Sequence, residues 1–191
     1  MAHNTTGEID SILWVDCEFT GLDPETDKLL QVAAIVTTPT FEETGQYNSF
    51  VYHPLDVIQP LISRNDWWLS HQDQYRSVVA SVENQGKPVD TVDNEFALFI
   101  EQSCDPSAQN MVYAGNSPRK DRTFLEKYLP NAEKQIGYRT IDVSSLKILA
   151  KHALGIEYPK QYRHDALDDI RESIAEAQFL IEAADIALFG V

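Results

Sequence analysis

Asp16 and Glu18 lie two residues apart, directly after the apolar run at residues 12–15. If that run is a strand, its period of two places both carboxylates on one face, where they offer oxygen ligands to one small volume. Alternating acids on a strand usually form a solvated face, but acids beside buried apolar surface need a cation or a partner. The pair is therefore a candidate metal-binding or catalytic feature.

Three more residues on other segments have suitable chemistry. Asp121 begins a predicted helix, where an acid can also simply favour the helix dipole. His164 and Asp169 are five residues apart, which on a helix separates them by about 140°. We therefore expect His164 on the loop before the helix that carries Asp169. A partly exposed His beside carboxylates suits a general base, although a surface His beside a capping Asp has the same sequence pattern.

The four carboxylates Asp16, Glu18, Asp121 and Asp169 come from three separate elements. Their combined charge can be neutralised by two divalent cations, and two hard metal ions about 3.5–4 Å apart form a clamp for phosphoryl transfer. We expect one metal ion to activate water and the other to stabilise the leaving oxygen.

The elements that must position these residues follow from hydrophobic periodicity. Apolar runs at 12–15 and 29–36 predict two buried strands in an antiparallel pair, and 46–53 predicts a third. Residues 111–114 predict a short strand. Apolar residues at helical spacing predict four helices. The first contains Val92, Phe96 and Phe99, and the second contains Phe124 to Tyr128. The third begins after Asp142 as N-cap and ends near Gly155, and the fourth contains Ile170 to Ala184. This order predicts an α/β domain with a mixed sheet.

Length and composition limit the class of protein. The chain has 191 residues, is 43% hydrophobic and carries a net charge of −15. This suits one domain spanning 1–191, with about residues 1–10 as a flexible N-terminus. We expect no membrane span, no signal peptide, and free cysteines in a reducing, cytoplasmic location; an organellar location stays open.

The distribution of charge bears on the partner. Residues 1–110 hold 18 acidic and 4 basic side chains, whereas the stretch 119–163 holds ten basic and five acidic ones. Polyanion binding depends on Lys and Arg, so the acidity excludes a broad groove that tracks a long backbone or duplex. It favours a small closed site with a local basic edge, although a basic run is more often a solvated surface.

Six sequence motifs stand out along the chain. They are Trp-Val-Asp at 14–16, Thr-Gly-Leu-Asp-Pro at 20–24, Gly-Asn-Ser at 115–117, Phe-Leu-Glu-Lys-Tyr at 124–128, the run 138–147, and the run 164–173 with His164 and Asp169. Together they resemble the DEDDh exonuclease superfamily and, within it, the oligoribonuclease family. The resemblance extends from about Leu13 to Gln178. It implies an RNase H-like mixed β-sheet flanked by helices, a homodimer, and 3'-to-5' hydrolysis of very short RNA with Mg²⁺ or Mn²⁺.

Carried over by position, the resemblance also implies individual roles. Asp16, Glu18, Asp121 and Asp169 match metal ligands, and His164 matches the base that deprotonates water. Other positions match substrate contacts. Leu22 matches a wedge between bases, and Trp67 and His71 match the base and phosphate pocket. Ser117, Arg139 and Ser144 match a cap on a 5' phosphate, and Tyr138 matches an aromatic that reaches the neighbouring subunit. Leu22 in turn packing, Trp67 in the core and His71 on the surface are the alternatives.

The chain departs from the family pattern at two places. Pro118, Arg119 and Lys120 add positive charge before Asp121, and Arg163 and Asp165 flank His164. The expected activity is degradation of short oligoribonucleotides, especially 5'-phosphorylated dinucleotides, to nucleoside 5'-monophosphates. The alternatives are a DEDDh exonuclease that trims longer RNA or DNA ends and a catalytically silent RNA-binding module.

Overall fold

The fold is built on one five-stranded sheet. The computed structural model describes residues 9–103, 110–159 and 166–189 of the chain. The strands are β1 (Ser11–Phe19), β2 (Leu29–Thr37), β3 (Glu43–Phe50), β4 (Met111–Gly115) and β5 (Thr140–Asp142). Their order is β3-β2-β1-β4-β5; the first two pairs are antiparallel, and β1–β4 and β4–β5 are parallel. The predicted mixed sheet is confirmed.

Helices cover both faces of the sheet. They are α1 (Leu55–Ile62), α2 (Asp66–Ser70), α3 (Gln72–Gln85), α4 (Val89–Ser103), α5 (Arg119–Tyr128), α6 (Pro130–Glu133), α7 (Val143–Leu149) and α8 (Ala166–Phe189). Helices α4 and α5 pack on one face and α8 on the other, while α1 to α3 enclose a smaller apolar cluster around Leu30. The result is the expected layered α/β domain, in which apolar helix stripes are buried against a sheet.

The alternation along β1 determines where its acids lie. Leu13 and Val15 belong to the core with α4 and α5, whereas Ile12 and Trp14 pack with α8. Continuing the period of two puts Cys17 on the first face and the two acids on the second. The half-buried Asp16 and Glu18 therefore extend the surface that α8 covers.

Several elements differ from the predictions. Helices α1 to α3 and strand β5 were not predicted, since the helices are short or largely polar and β5 has three residues. Strand β3 starts three residues earlier than expected. The Asp142 N-cap is confirmed, but the end of its helix is a π-helix, Ala150–Leu154, which stops at Gly155 with a φ of 70°.

Some predictions fall on other parts of the chain. Residues 1–8 of the expected flexible N-terminus, Cys104, and His164 with its flanking charges lie outside the described residues. Within the described segments, no helix is both long and apolar enough to cross a membrane.

Candidate active site

Strand β1 extends beyond the end of its parallel neighbour β4. In this extension, one backbone amide of β1 donates a hydrogen bond to Asp121. The pairing between β1 and β4 extends to Trp14 and Ala114, and β4 ends at Gly115. Beyond that point the Cys17 amide donates to Asp121 Oδ1 over 3.0 Å. A Cβ at Gly115 would lie 2.9 Å from the Val15 carbonyl oxygen, so glycine allows this close approach of the two strand ends.

The carboxylate of Asp121 is buried, and only 7% of the residue is exposed. Burial raises its pKa to about 7, against the opposing effect of hydrogen bonds from its own amide and that of Cys17. Burial, followed by the negative charges of Asp121, Asp16 and Glu18, raises the pKa of the Cys17 thiol. Three of the four predicted acids therefore lie near enough to the Cys17 thiol to act on its ionisation.

Helix α8, which carries the fourth acid, packs on the face of the sheet that bears Asp16 and Glu18. Ala166 and Ile170, in the first turn and a half of α8, pack with Trp14 and Ala33. Ala33 is the β2 residue that pairs with Asp16. Asp169 is half-buried beside Ile170, so it lies on the helix turn that covers the acid-bearing face.

The four predicted acids form a donor set suited to a divalent metal ion. Four carboxylates are the hard oxygen ligands that Mg²⁺ and Mn²⁺ prefer, and a cation would offset the cost of ionising the buried Asp121. Among the described residues, however, no group of three or more His, Cys, Asp or Glu side chains is close enough together to hold a metal ion. The chemistry of the four carboxylates fits a hard divalent cation.

A tight loop after β1 carries Leu22, and Asp27 organises it from inside. The buried Asp27 carboxylate accepts hydrogen bonds from the Thr20 hydroxyl (3.1 Å), the Asp23 amide (3.0 Å) and Arg64 (3.2 Å). A Cβ at Gly21 would come within 2.6 Å of this carboxylate. The loop therefore depends on glycine at that position, and it presents Leu22 with 66% of its surface exposed.

Leu22 lines a cavity of about 310 Å³ together with Glu18 and Trp67. Trp67 is 40% exposed and stacks on the His71 ring at 4.3 Å between centroids. Trp68 is buried, and its indole nitrogen donates to the Phe19 carbonyl over 3.0 Å. Both tryptophans line the cavity, and Trp67 is the more exposed of the two.

Ser117 and Ser144 meet in a hydrogen-bonded network beside β4. The Ser117 hydroxyl donates to Ser144 Oγ (3.1 Å), which in turn donates to Asn116 Oδ1 (3.1 Å). Asp142 Oδ1 accepts from the backbone amides of both serines. Ser117 has a φ of 56°, a left-handed conformation that is unfavourable for serine and is held here by these bonds.

Arg139 and Tyr138 lie at the opposite end of β5. The Arg139 guanidinium donates to Asn110 Oδ1 over 3.2 Å and lies over the Tyr138 ring at 5.6 Å. The Cα atoms of Arg139 and Asp142 are about 10 Å apart along the strand, and Asp142 is the residue that binds the two serine amides. Tyr138 is 84% exposed.

Sequence reasoning missed two residues that support the site. Asn65 accepts from the Trp67 amide at the start of α2 and donates to the Thr20 carbonyl, so it joins the helix to the loop. Asn116 donates to Ser173 of α8 over 2.7 Å and so links the serine network to that helix. The N-cap pattern before Asp66 could have indicated Asn65, but no sequence signal indicates the contact of Asn116.

Comparison with solved structures supports the fold. Exonuclease I of E. coli in a zinc-bound complex with single-stranded DNA superposes with a TM-score of 0.66 at 16% identity, covering 92% of this chain and 41% of that one. Exonuclease I of Methylocaldum szegediense superposes with a TM-score of 0.60 at 19% identity, covering 91% and 40%. The chain therefore spans about two fifths of these nucleases, and at such identities the likeness shows the expected RNase H-like fold alone.

Sequence comparison is more specific. Oligoribonuclease of Shewanella sp. (strain W3-18-1) is 33% identical over 180 residues, covering 91% of this chain and 95% of the relative. Oligoribonuclease of Hahella chejuensis is also 33% identical, covering 91% and 94%. Residues 11–181 match the family described as the 3'-5' exoribonuclease Rv2179c-like domain. With these matches and the acids grouped at the end of β1, the chain belongs to this family of 3'-5' exoribonucleases.

Proposed function

We propose that this exonuclease degrades very short RNA from the 3' end, especially 5'-phosphorylated dinucleotides, and releases nucleoside 5'-monophosphates. The observation that carries the proposal is the shared cavity: Glu18, one of the grouped acids, lines the same space as the exposed side chains of Leu22 and Trp67. A carboxylate beside apolar and aromatic surface lets a base stack while its phosphodiester lies near the acids. At about 310 Å³, the cavity is at the small end of ligand sites, which suits a nucleotide rather than a long strand.

Asp16, Glu18, Asp121 and Asp169 would hold two divalent cations, Mg²⁺ or Mn²⁺. When bound, such ions activate water and stabilise the charge on the leaving oxygen. Asp121 is fixed for this role by its bond to the Cys17 amide. His164 is assigned by the sequence pattern as the base that takes the proton from the attacking water.

The 5' end of the substrate would meet the Ser117–Ser144 network and Arg139. Two neighbouring hydroxyls and a planar guanidinium are suitable donors for a terminal phosphate. Trp67 would stack on a base, His71 supports its ring, and Leu22 would separate the two bases. A cap of this kind favours a substrate whose 5' phosphate lies one nucleotide from the scissile bond, as it does in a dinucleotide.

A homodimer is part of the proposal. Ile148 and Leu149 are exposed near the end of α7, at 59% and 65%, and Tyr138 is an exposed aromatic that would reach the partner's site. Apolar side chains grouped on one helix surface indicate a protein interface. We expect the enzyme to act in the cytoplasm.

The experiment that tests the function is a length series of 5'-phosphorylated RNAs from two to twenty nucleotides, each with Mn²⁺ and with chelator. We expect the highest kcat/KM for the dinucleotide and no mononucleotide release with chelator. The Asp121→Asn variant is the control for contaminating nuclease.

Each alternative gives a different result. Faster turnover of the twenty-mer than of the dinucleotide would assign the enzyme to trimming of longer ends. Binding of RNA without release of mononucleotide at any length would indicate a silent binding module, and activity retained in chelator would contradict the metal assignment.

A further inference from the structure

Lys120 connects the acid-bearing helix to the tip of the Leu22 loop. Its ammonium donates to the Leu22 carbonyl oxygen over 2.8 Å. The two residues are 98 positions apart, and Lys120 directly precedes Asp121 in the first turn of α5. The contact therefore couples the position of Leu22 to that of Asp121, a predicted metal ligand.

Helix α5 holds the loop at two other points, both farther from the tip. Lys127 pairs with Glu25 at 3.3 Å, and the Tyr128 hydroxyl donates to the Asp27 carbonyl over 2.6 Å. Residues seven and eight positions after Lys120 share its face of the helix, so the three contacts form one row. Of these three residues, all in the described part of the chain, Lys120 is the one that bonds to Leu22, which lines the cavity.

The charge of Lys120 is directed at the loop. Its ammonium lies 2.8 Å from the Leu22 carbonyl oxygen, which accepts its hydrogen bond. A hydrogen bond from a charged donor to a carbonyl is stronger than one between neutral groups. The Leu22 side chain is largely exposed, so little packing of its own holds it in place.

We infer that Lys120 is a positioning residue for the substrate: it holds Leu22 at a fixed distance from the acids and so sets the width of the space for the last base. The inference deepens the proposed function and rests on it for its kinetic consequences. Without the ammonium, the loop tip would move relative to α5, and short substrates would bind in a less defined position.

The test is a double-mutant cycle measured as kcat and KM for pGpG at fixed Mn²⁺. Lys120→Met keeps the aliphatic stem and removes the donor, and we expect KM to rise about tenfold with kcat nearly unchanged. Lys120→Arg keeps a charged donor and should restore most of the loss. Lys127→Met is the matched control, because it removes a cation from the same helix face but not from the loop tip.

The cycle shows whether Lys120 acts through Leu22. In a Leu22→Ala background, Lys120→Met should raise KM by less than about twofold, because the side chain it positions is gone. A full tenfold effect in that background overturns the inference. So does a loss that depends on the number of substrate phosphates or on salt, since that pattern means direct phosphate binding.

A second measurement does not depend on activity. Hydrogen exchange of the Leu22 and Asp23 amides in the ligand-free protein should be faster in Lys120→Met than in wild type or Lys127→Met. Equal exchange in all three proteins overturns the inference even if pGpG is cleaved. Faster exchange with no cleavage of pGpG by wild type supports the loop contact and contradicts the proposed function instead.

Discussion

The Cys17 amide and the Asp121 carboxylate are hydrogen-bonded across 104 residues of sequence, with 3.0 Å between nitrogen and Oδ1. This bond holds the first turn of α5 against the end of β1, where Asp16 and Glu18 lie. It also leaves a carboxylate in a buried position where ionisation is costly, and burial raises the pKa of Asp121 to about 7. A bound divalent cation would remove that cost.

The first prediction concerns this site and metal binding. Mn²⁺ should raise the free energy of unfolding of the wild type by about 2.7 kcal/mol at a hundred times the dissociation constant. Asp121→Asn should abolish that increase. In the metal-free state above pH 7, the same substitution should not destabilise the fold, since Asn can accept from Cys17 without burying a charge.

Thermal unfolding with and without Mn²⁺ measures both effects. Asp73→Asn is the matched control, because it removes an acid from the exposed surface of α3. Equal stabilisation of Asp121→Asn and wild type by Mn²⁺ would contradict the assignment of Asp121 as a ligand.

The second prediction concerns Arg139. Arg139→Ala should lower kcat/KM for 5'-phosphorylated dinucleotides about ten- to hundredfold, because a bidentate charged contact to phosphate is lost. Activity on the unphosphorylated dinucleotide should stay near wild type. Arg139→Lys should recover only part of the loss, since a point charge does not reproduce the planar fork.

Comparing both substrates in each variant decides the role. An equal loss on both would mean that Arg139 acts through Asn110 or Tyr138 rather than on the phosphate.

Local patterns were enough to predict much of this arrangement. The period of two along β1 placed Asp16 and Glu18 on one face, and the capping preference of Asp placed residue 142 before α7; both are confirmed. Such features depend on a few neighbouring residues, so the sequence records them directly.

The remaining features depend on contacts between distant segments. Lys120 bonds to Leu22, and Arg64 bonds to Asp27. Both contacts form only when the loop after β1 has folded and α2 and α5 are in place. Strand β5 has three residues and is a strand only because β4 pairs with it. No local pattern contains that information, which is why these features were not predicted.

The third prediction concerns the exposed apolar surface of α7. Leu149→Asp should convert the proposed dimer to a monomer, because a charge placed in the proposed apolar interface would be left desolvated and unpaired. Sedimentation velocity measures the change. Glu157→Gln is a control on the exposed surface, where Glu157 pairs with Lys151. A wild type that stays monomeric at all concentrations would contradict the dimer itself.

The last prediction concerns acid sensitivity through His53. The ring donates a hydrogen bond from Nε2 to the Leu29 carbonyl over 2.8 Å, and burial lowers its pKa below the ordinary 6.5, against the raising effect of that bond. Between the folded-state pKa and 6.5, the unfolded chain binds more protons than the folded one, so stability falls as the pH is lowered through this window. His53→Gln should reduce that fall, whereas His152→Gln, on the exposed π-helix, should not. Urea unfolding at about pH 7.5 and pH 5 gives the comparison, and an unchanged pH slope in His53→Gln would show that other groups cause the acid sensitivity.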